Sequence, residues 1–213
     1  MVRRATRKQK GRYTRKRKQV ILIATEGDNK TEKTYFHEFN GRIQTISIVF
    51  ADGNSTDPVK IVKDAIQSAK KCGIDFNYGD KVYAVFDTDF NKVEQVTEAR
   101  KIARENNMEL ILSNPCFEVW VLQHFRFSTR GYNSNDDVIN ELINRWPDYR
   151  KSIGSFQYIS DRTEIAIENA RKLIDFHNDI NPRTDIERRN PSTDVYKLVE
   201  MITSEGQDVI QTK

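Results

Sequence analysis

The sequence predicts an α/β protein: a mostly parallel four-stranded sheet with flanking helices and a helical C-terminal part. Three observations carry this prediction. The apolar runs VILIAT, ending at Thr25, and VYAVF, ending at Phe86, read as buried strands. Strand and helix signals alternate from residue 19 to residue 112 at spacings that fit right-handed βαβ crossovers. Beyond Ser113 the signals are helical.

The elements follow in order. Gln19–Thr25 is the first strand, and Thr31–Phe39 is a short helix with Tyr35, Phe36 and Phe39 at helical spacing. Ile43–Phe50, rich in β-branched residues and bounded by Gly41 and Asp52–Gly53, is the second strand. Asp57 caps the next helix, Pro58 opens it and Cys72–Gly73 ends it, with Val59, Val62, Ala65, Ile66 and Ala69 on its apolar face. Lys81–Phe86 is the third strand, a helix runs from about Asn91 to Asn106, and Met108–Leu112 is the fourth strand. Ser113–Asn114–Pro115 signals another helix, whose CFEVWVLQHF is apolar nearly all round and therefore buried. Asn135 caps a helix bearing Val138, Ile139, Leu142, Ile143 and Trp146. Ile165–Phe176 is helical, Asn181–Asn190 is a polar loop, and a last helix starts near Asn190–Pro191–Ser192.

Composition narrows the setting. No run approaches the roughly 18 apolar residues of a membrane helix, and the N-terminus lacks the apolar stretch of a secretory signal. Cys72 and Cys116 offer no disulfide framework, which makes a reducing cytoplasm the expected location. Residues 1–18 carry ten basic side chains and no acid: Arg3, Arg4, Arg7, Lys8, Lys10, Arg12, Arg15, Lys16, Arg17 and Lys18. The chain as a whole is +4, so residues 19–213 sum to −6 and the basic character belongs to the arm. Such a block cannot pack and is expected to be disordered when free; it can contact nucleic-acid phosphates with little sequence preference, or simply be solvated. The expected division is this arm, an α/β core over residues 19–125 and a helical region over 126–213 packed on the core.

The chemistry is expected at the carboxyl ends of the strands, where ligands of open parallel sheets gather. Glu26 comes from the first strand, and Asp87 and Asp89 from the third. Two carboxylates two residues apart point to one face of a strand and repel unless a cation lies between them. Acids without His or Cys suit a hard cation such as Mg²⁺, or Mn²⁺, of the kind that serves phosphodiester chemistry. Alternatively, one aspartate caps the next helix and the other is solvated. Glycine at position 27 permits a sharp turn or a close backbone approach to phosphate. Glu32 lies in the first turn of the next helix, where it suits the helix dipole. Lys30 reads as a solvated lysine within reach of phosphate. Glu118 is the one acid on the apolar helix, so it needs a partner: the metal, or an arginine such as Arg126 or Arg171. His124 reads as structural.

Together, TEGDNKTEKTYF, VFDTDF, SNPCFEVWVLQHF, IENARKL, NPSTDVYKLV and the basic arm resemble the RloB-like family. That family's core resembles the Toprim domain of topoisomerases, primases and OLD-type nucleases, a Rossmann-like arrangement. The resemblance places Glu26 at the Toprim glutamate and Asp87 and Asp89 at its DxD. It implies a Mg²⁺-dependent nuclease in a phage-defence, abortive-infection setting, often beside an AAA- or ABC-type ATPase. The family's first motif usually looks like EGxxTE; here EGDNKTE is one residue longer.

The leading expectation is therefore a nuclease on RNA, including transfer RNA, or DNA. Glu26 would act as general base or metal ligand, Asp87 and Asp89 would hold metal, and Glu118 would add a carboxylate sufficient for a second ion. The rival is a non-catalytic metal- and nucleic-acid-binding subunit of an ATPase complex. A haloacid-dehalogenase-like phosphoryl transferase fits poorly, because its nucleophilic aspartate follows the first strand and here DxD follows the third.

Overall fold

The structure, a computed structural model, describes residues 17–27, 30–88, 93–151 and 156–207. Asp89 and residues 1–16 of the basic arm lie outside the described residues. The elements are β1 (Gln19–Thr25), α1 (Lys30–His37), β2 (Ile46–Phe50), α2 (Pro58–Cys72), β3 (Lys81–Asp87) and α3 (Val93–Glu105). They continue with β4 (Glu109–Asn114), α4 (Glu118–Gln123), α5 (Asn135–Arg145), α6 (Phe156–Ile159), α7 (Thr163–Ile180), β5 (Ser192–Thr193) and α8 (Val195–Gln207).

The sheet has the order β2-β1-β3-β4-β5. Its first four strands are parallel, and β5 runs antiparallel to β4. Side chains alternate across the sheet and both faces are covered, as a parallel sheet requires. Ile21, Ile23, Tyr83, Val85 and Ile111 pack with buried residues of α1, α4, α5, α7 and α8. Leu22, Ala24, Val82, Ala84, Phe86 and Leu112 pack with α2 and α3. The chain leaves β1 for β2 on one side and leaves β3 for β4 on the other. The order thus reverses between β1 and β3, the point where open α/β sheets bind ligands.

Local chemistry explains where α2 begins and ends. Asp57 is extended and accepts the Lys60 N–H at 2.8 Å, Pro58 follows, and Gly73 closes the helix at φ 63°. The same cap-then-proline reading fails at Asn114–Pro115. There Ser113 and Asn114 belong to β4, paired with Thr193 and Ser192, and α4 starts only at Glu118. Ladder pairing and a 2.9 Å hydrogen bond between the Ser113 and Thr193 hydroxyls hold this segment extended.

That pairing also corrects the strand count from four to five. Ser192–Thr193, expected at the start of the last helix, is a strand, and α8 begins at Val195. At α5 the cap is Ser134, whose hydroxyl accepts the Asp137 N–H at 3.2 Å, and Asn135 is already helical. The second strand begins at Ile46 rather than Ile43.

At the opposite end of the sheet, Arg17 forms a two-pronged ion pair with the buried carboxylate of Asp80, at 3.1 and 2.6 Å. Asp80 also accepts the backbone N–H groups of Val20 and Asp75, and these bonds with Arg17 outweigh its burial and lower its pKa. The Arg17 guanidinium lies 4.5 Å from the centre of the Tyr78 ring, whose hydroxyl donates to the Arg17 carbonyl. This residue of the basic arm is engaged with the protein itself. Arg17→Ala is expected to lower stability, by less than the loss of a fully buried pair would because Arg17 is partly solvated. Denaturant unfolding of the two proteins checks it.

Candidate active site

Each strand brings its acid to the reversal point. Glu26 follows the last residue of β1 and is half-buried. The chain turns at once: Gly27 has φ 51°, a left-handed conformation that favours glycine, and its N–H donates to the Ser55 carbonyl at 2.8 Å. Asp87 is the last residue of β3, half-buried and opposite Ser113 of β4. Two residues beyond Val85, it continues the row of side chains on the α4 face. Asp89, the second acid of the DxD, lies outside the described residues.

Two further acids are buried beside them. Glu32, in the first turn of α1, is 1% exposed, and Glu118, the first residue of α4, is 2% exposed. Burial, reinforced by the charges of Glu118 and Glu26, raises the Glu32 pKa to about 8, against the opposing pull of a backbone N–H and Lys151. Its burial goes beyond the helix-dipole role the sequence suggests. The Glu118 Oε1 accepts the Tyr149 hydroxyl at 2.9 Å and lies 3.7 Å from the Lys151 ammonium. The arginines expected as partners are committed elsewhere, Arg126 to Glu141 and Arg171 to Glu200.

Lys151 is where the acids converge. Burial lowers its pKa, but the charges of Glu118, Asp87 and Glu32 more than offset this and raise it. Burial, then the charge of Glu118, pushes the Tyr149 hydroxyl far up, so it remains a donor. Cys116 is buried, and burial with the charges of Glu118 and Asp87 raises its thiol well above the usual range. It is therefore a protonated, packed thiol rather than a nucleophile.

Sequence reasoning missed Tyr149, Lys151 and Cys116. Tyr149 reaches Glu118 across 31 residues from an irregular stretch after α5, so no local pattern could have shown it. Cys116, two residues before Glu118 in SNPCFE, was within reach of the motif.

Among the described residues, no group of three or more His, Cys, Asp or Glu side chains is arranged to hold a metal ion. The donor chemistry still fits a hard cation at one place. Glu26 and Asp87 supply oxygen donors from adjacent strands, and the Glu32 pKa, raised first by burial, is raised further by the charges of Glu118 and Glu26, which a cation would offset. Glu118 already has Tyr149 and Lys151 on one oxygen.

His124 is buried, and its Nδ1–H is shared between the Trp120 and Val121 carbonyls at 3.2 Å each. Burial lowers its pKa to about 4 against the effect of those carbonyls, so it is neutral and structural at pH 7. Its contribution to stability is complete above the unfolded value, near 6.5, and is lost as pH falls toward 4. His124→Phe keeps the edge-to-face contact with Trp120 and removes the titration. Urea unfolding at pH 7 and pH 5 is expected to show a smaller acid loss in the variant.

No described helix is long and apolar enough to cross a membrane. Searches of curated proteins and of solved structures gave no match. The model of the RloB-like protein family matches residues 21–202, a span that runs from β1 into α8 and takes in Glu26, Asp87 and Glu118; the chain belongs to that family.

Proposed function

We propose that this chain is a Toprim-type nuclease, dependent on Mg²⁺ or Mn²⁺, that cleaves RNA, including transfer RNA, or DNA. In this reading it acts in the cytoplasm within an abortive-infection response to phage, alongside an AAA- or ABC-type ATPase. One observation carries the catalytic part: Glu26 and Asp87 sit at the carboxyl ends of neighbouring parallel strands where the strand order reverses, backed by buried acids.

Glu26 and Asp87, with Asp89 two positions further along the sequence, would hold the cation. When bound, it supplies Lewis acidity to a phosphoryl oxygen and charge neutralisation in the transition state. The chain's own residues set the rest. Glu32 holds its proton near neutrality, which reduces the negative charge the site carries before substrate arrives. Tyr149 and Lys151 fix Glu118. Glu26, half-exposed, has general base as its alternative role to cation ligand.

The test is incubation of full-length protein with RNA and DNA pools in Mg²⁺ or Mn²⁺, with Glu26→Gln as control. Cleavage by the wild type alone supports the reading. A second reading, a non-catalytic binding subunit of an ATPase complex, draws on Lys151, which already gives the acids a counter-charge. Nucleic acid that is bound but left intact by both proteins would favour it.

A further inference from the structure

We propose that the cleft between α5 and the segment following α4 binds a nucleoside phosphate. The cleft has a volume of about 390 Å³, within the range of small-molecule sites. Arg126, Arg130 and Arg145 line it, together with Asn140, Glu141 and Asn144. It lies apart from the acid cluster. Glu118 opens α4 and Arg126 lies beyond its far end, so the six residues of the helix, about 9 Å at the helical rise, stand between them.

The charge is arranged for an anion despite the acids present. Glu141 is engaged within the protein: its Oε2 accepts the Tyr132 hydroxyl at 2.9 Å, and its Oε1, which accepts no hydrogen bond from a described residue, lies 3.5 Å from the Arg126 guanidinium, whose charge offsets its own. The Asp137 carboxylate accepts the Asn133 N–H at 3.2 Å. Arg130 and Arg145 make no side-chain hydrogen bond or ion pair with another described residue. Two guanidinium forks are thus left open to a phosphate, the group they match best.

A position in the last turn of α5 suits Arg145 to the helix dipole, but that does not account for the arginines facing it. Asn140 and Asn144 are one turn apart on the same helix face, and each offers a donor and an acceptor at once. A bare anion needs no such groups; a base edge or a ribose hydroxyl does. An acidic peptide would gain nothing from the carboxylates of Asp137 and Glu141. The phosphate and nucleoside can belong to a free nucleotide or to one residue of a nucleic-acid strand.

The experiment uses full-length protein, adenosine and guanosine monophosphates, a short single-stranded RNA and a polyglutamate peptide. An Arg130→Gln, Arg145→Gln variant is compared with Lys63→Gln, Lys101→Gln, which removes equal charge from α2 and α3. The arginine variant is expected to weaken binding about tenfold for each arginine removed, with an unchanged melting temperature because both side chains are exposed. Weakened mononucleotide binding assigns a free nucleotide; weakened RNA binding alone assigns a strand. Asn144→Ala, which leaves the charge untouched, is expected to weaken nucleotide and spare inorganic phosphate. Three results would overturn the proposal: unchanged affinities for mononucleotide and RNA, an equal loss in the lysine variant, or arginine-dependent binding of polyglutamate alone.

Discussion

Asp87→Asn is expected to lower metal-dependent cleavage by about a thousandfold or more, since a misplaced cation forfeits several kcal/mol of transition-state stabilisation. The same substitution is expected to leave the melting temperature unchanged or slightly raised without metal. Asp87 stands among acids whose charges are felt at Cys116 and Lys151, and removing one charge from such a group relieves repulsion. Added Mg²⁺ should raise the melting temperature of the wild type, by an amount that grows with the logarithm of its excess over Kd, and should not raise that of the variant. Wild-type cleavage rates in Asp87→Asn, or equal Mg²⁺ shifts in the two proteins, would remove Asp87 from the site.

The second large effect is a pH dependence with the opposite sign to that of His124. Glu32 is an acid whose folded pKa, about 8, lies above the value near 4.5 of an unburied glutamate. Its stabilising contribution is complete below pH 4.5 and is lost as pH rises toward 8, because the unfolded chain releases the proton first. Within that window one such group changes stability by at most about 1.4 kcal/mol per pH unit. Glu32→Gln keeps the neutral shape and removes the titration. Urea unfolding across pH 5–8, without metal, should therefore show a fall in the wild type that is flattened in the variant. Parallel profiles would mean that Glu32 does not titrate in this range.

The parts of this molecule that could be read in the sequence are those set by local pattern. β1, β3 and β4 are apolar runs buried on both faces, and α2 carries its start and stop signals within itself. The sequence also places Glu26 and Asp87 at the sheet edge, because each closes an apolar strand run. What the sequence hid depends on distant partners. β5 is two residues long and exists only because Ser113 and Asn114 lie opposite it, about 80 residues earlier in the chain. The same pairing overrode the helix signal at Asn114–Pro115. Glu118 could be suspected because an acid on an apolar helix needs a partner, but Tyr149 and Lys151 lie in a stretch with no period to follow.

The Arg17–Asp80 clasp gives the protein a length scale. It fixes the root of the basic arm at the amino edge of the sheet, while Glu26 and Asp87 stand at the carboxyl edge. β1 separates the two edges by seven residues, roughly 23 Å at about 3.3 Å per residue. A nucleic acid that meets both Lys18 and the acids must therefore run the depth of the sheet, which for a duplex is about seven base pairs at about 3.4 Å each. Below that length the root of the arm and the acids cannot share one straight ligand. Under the proposed nuclease reading, affinity for nucleic acid is expected to step upward once the ligand is long enough to reach across the sheet.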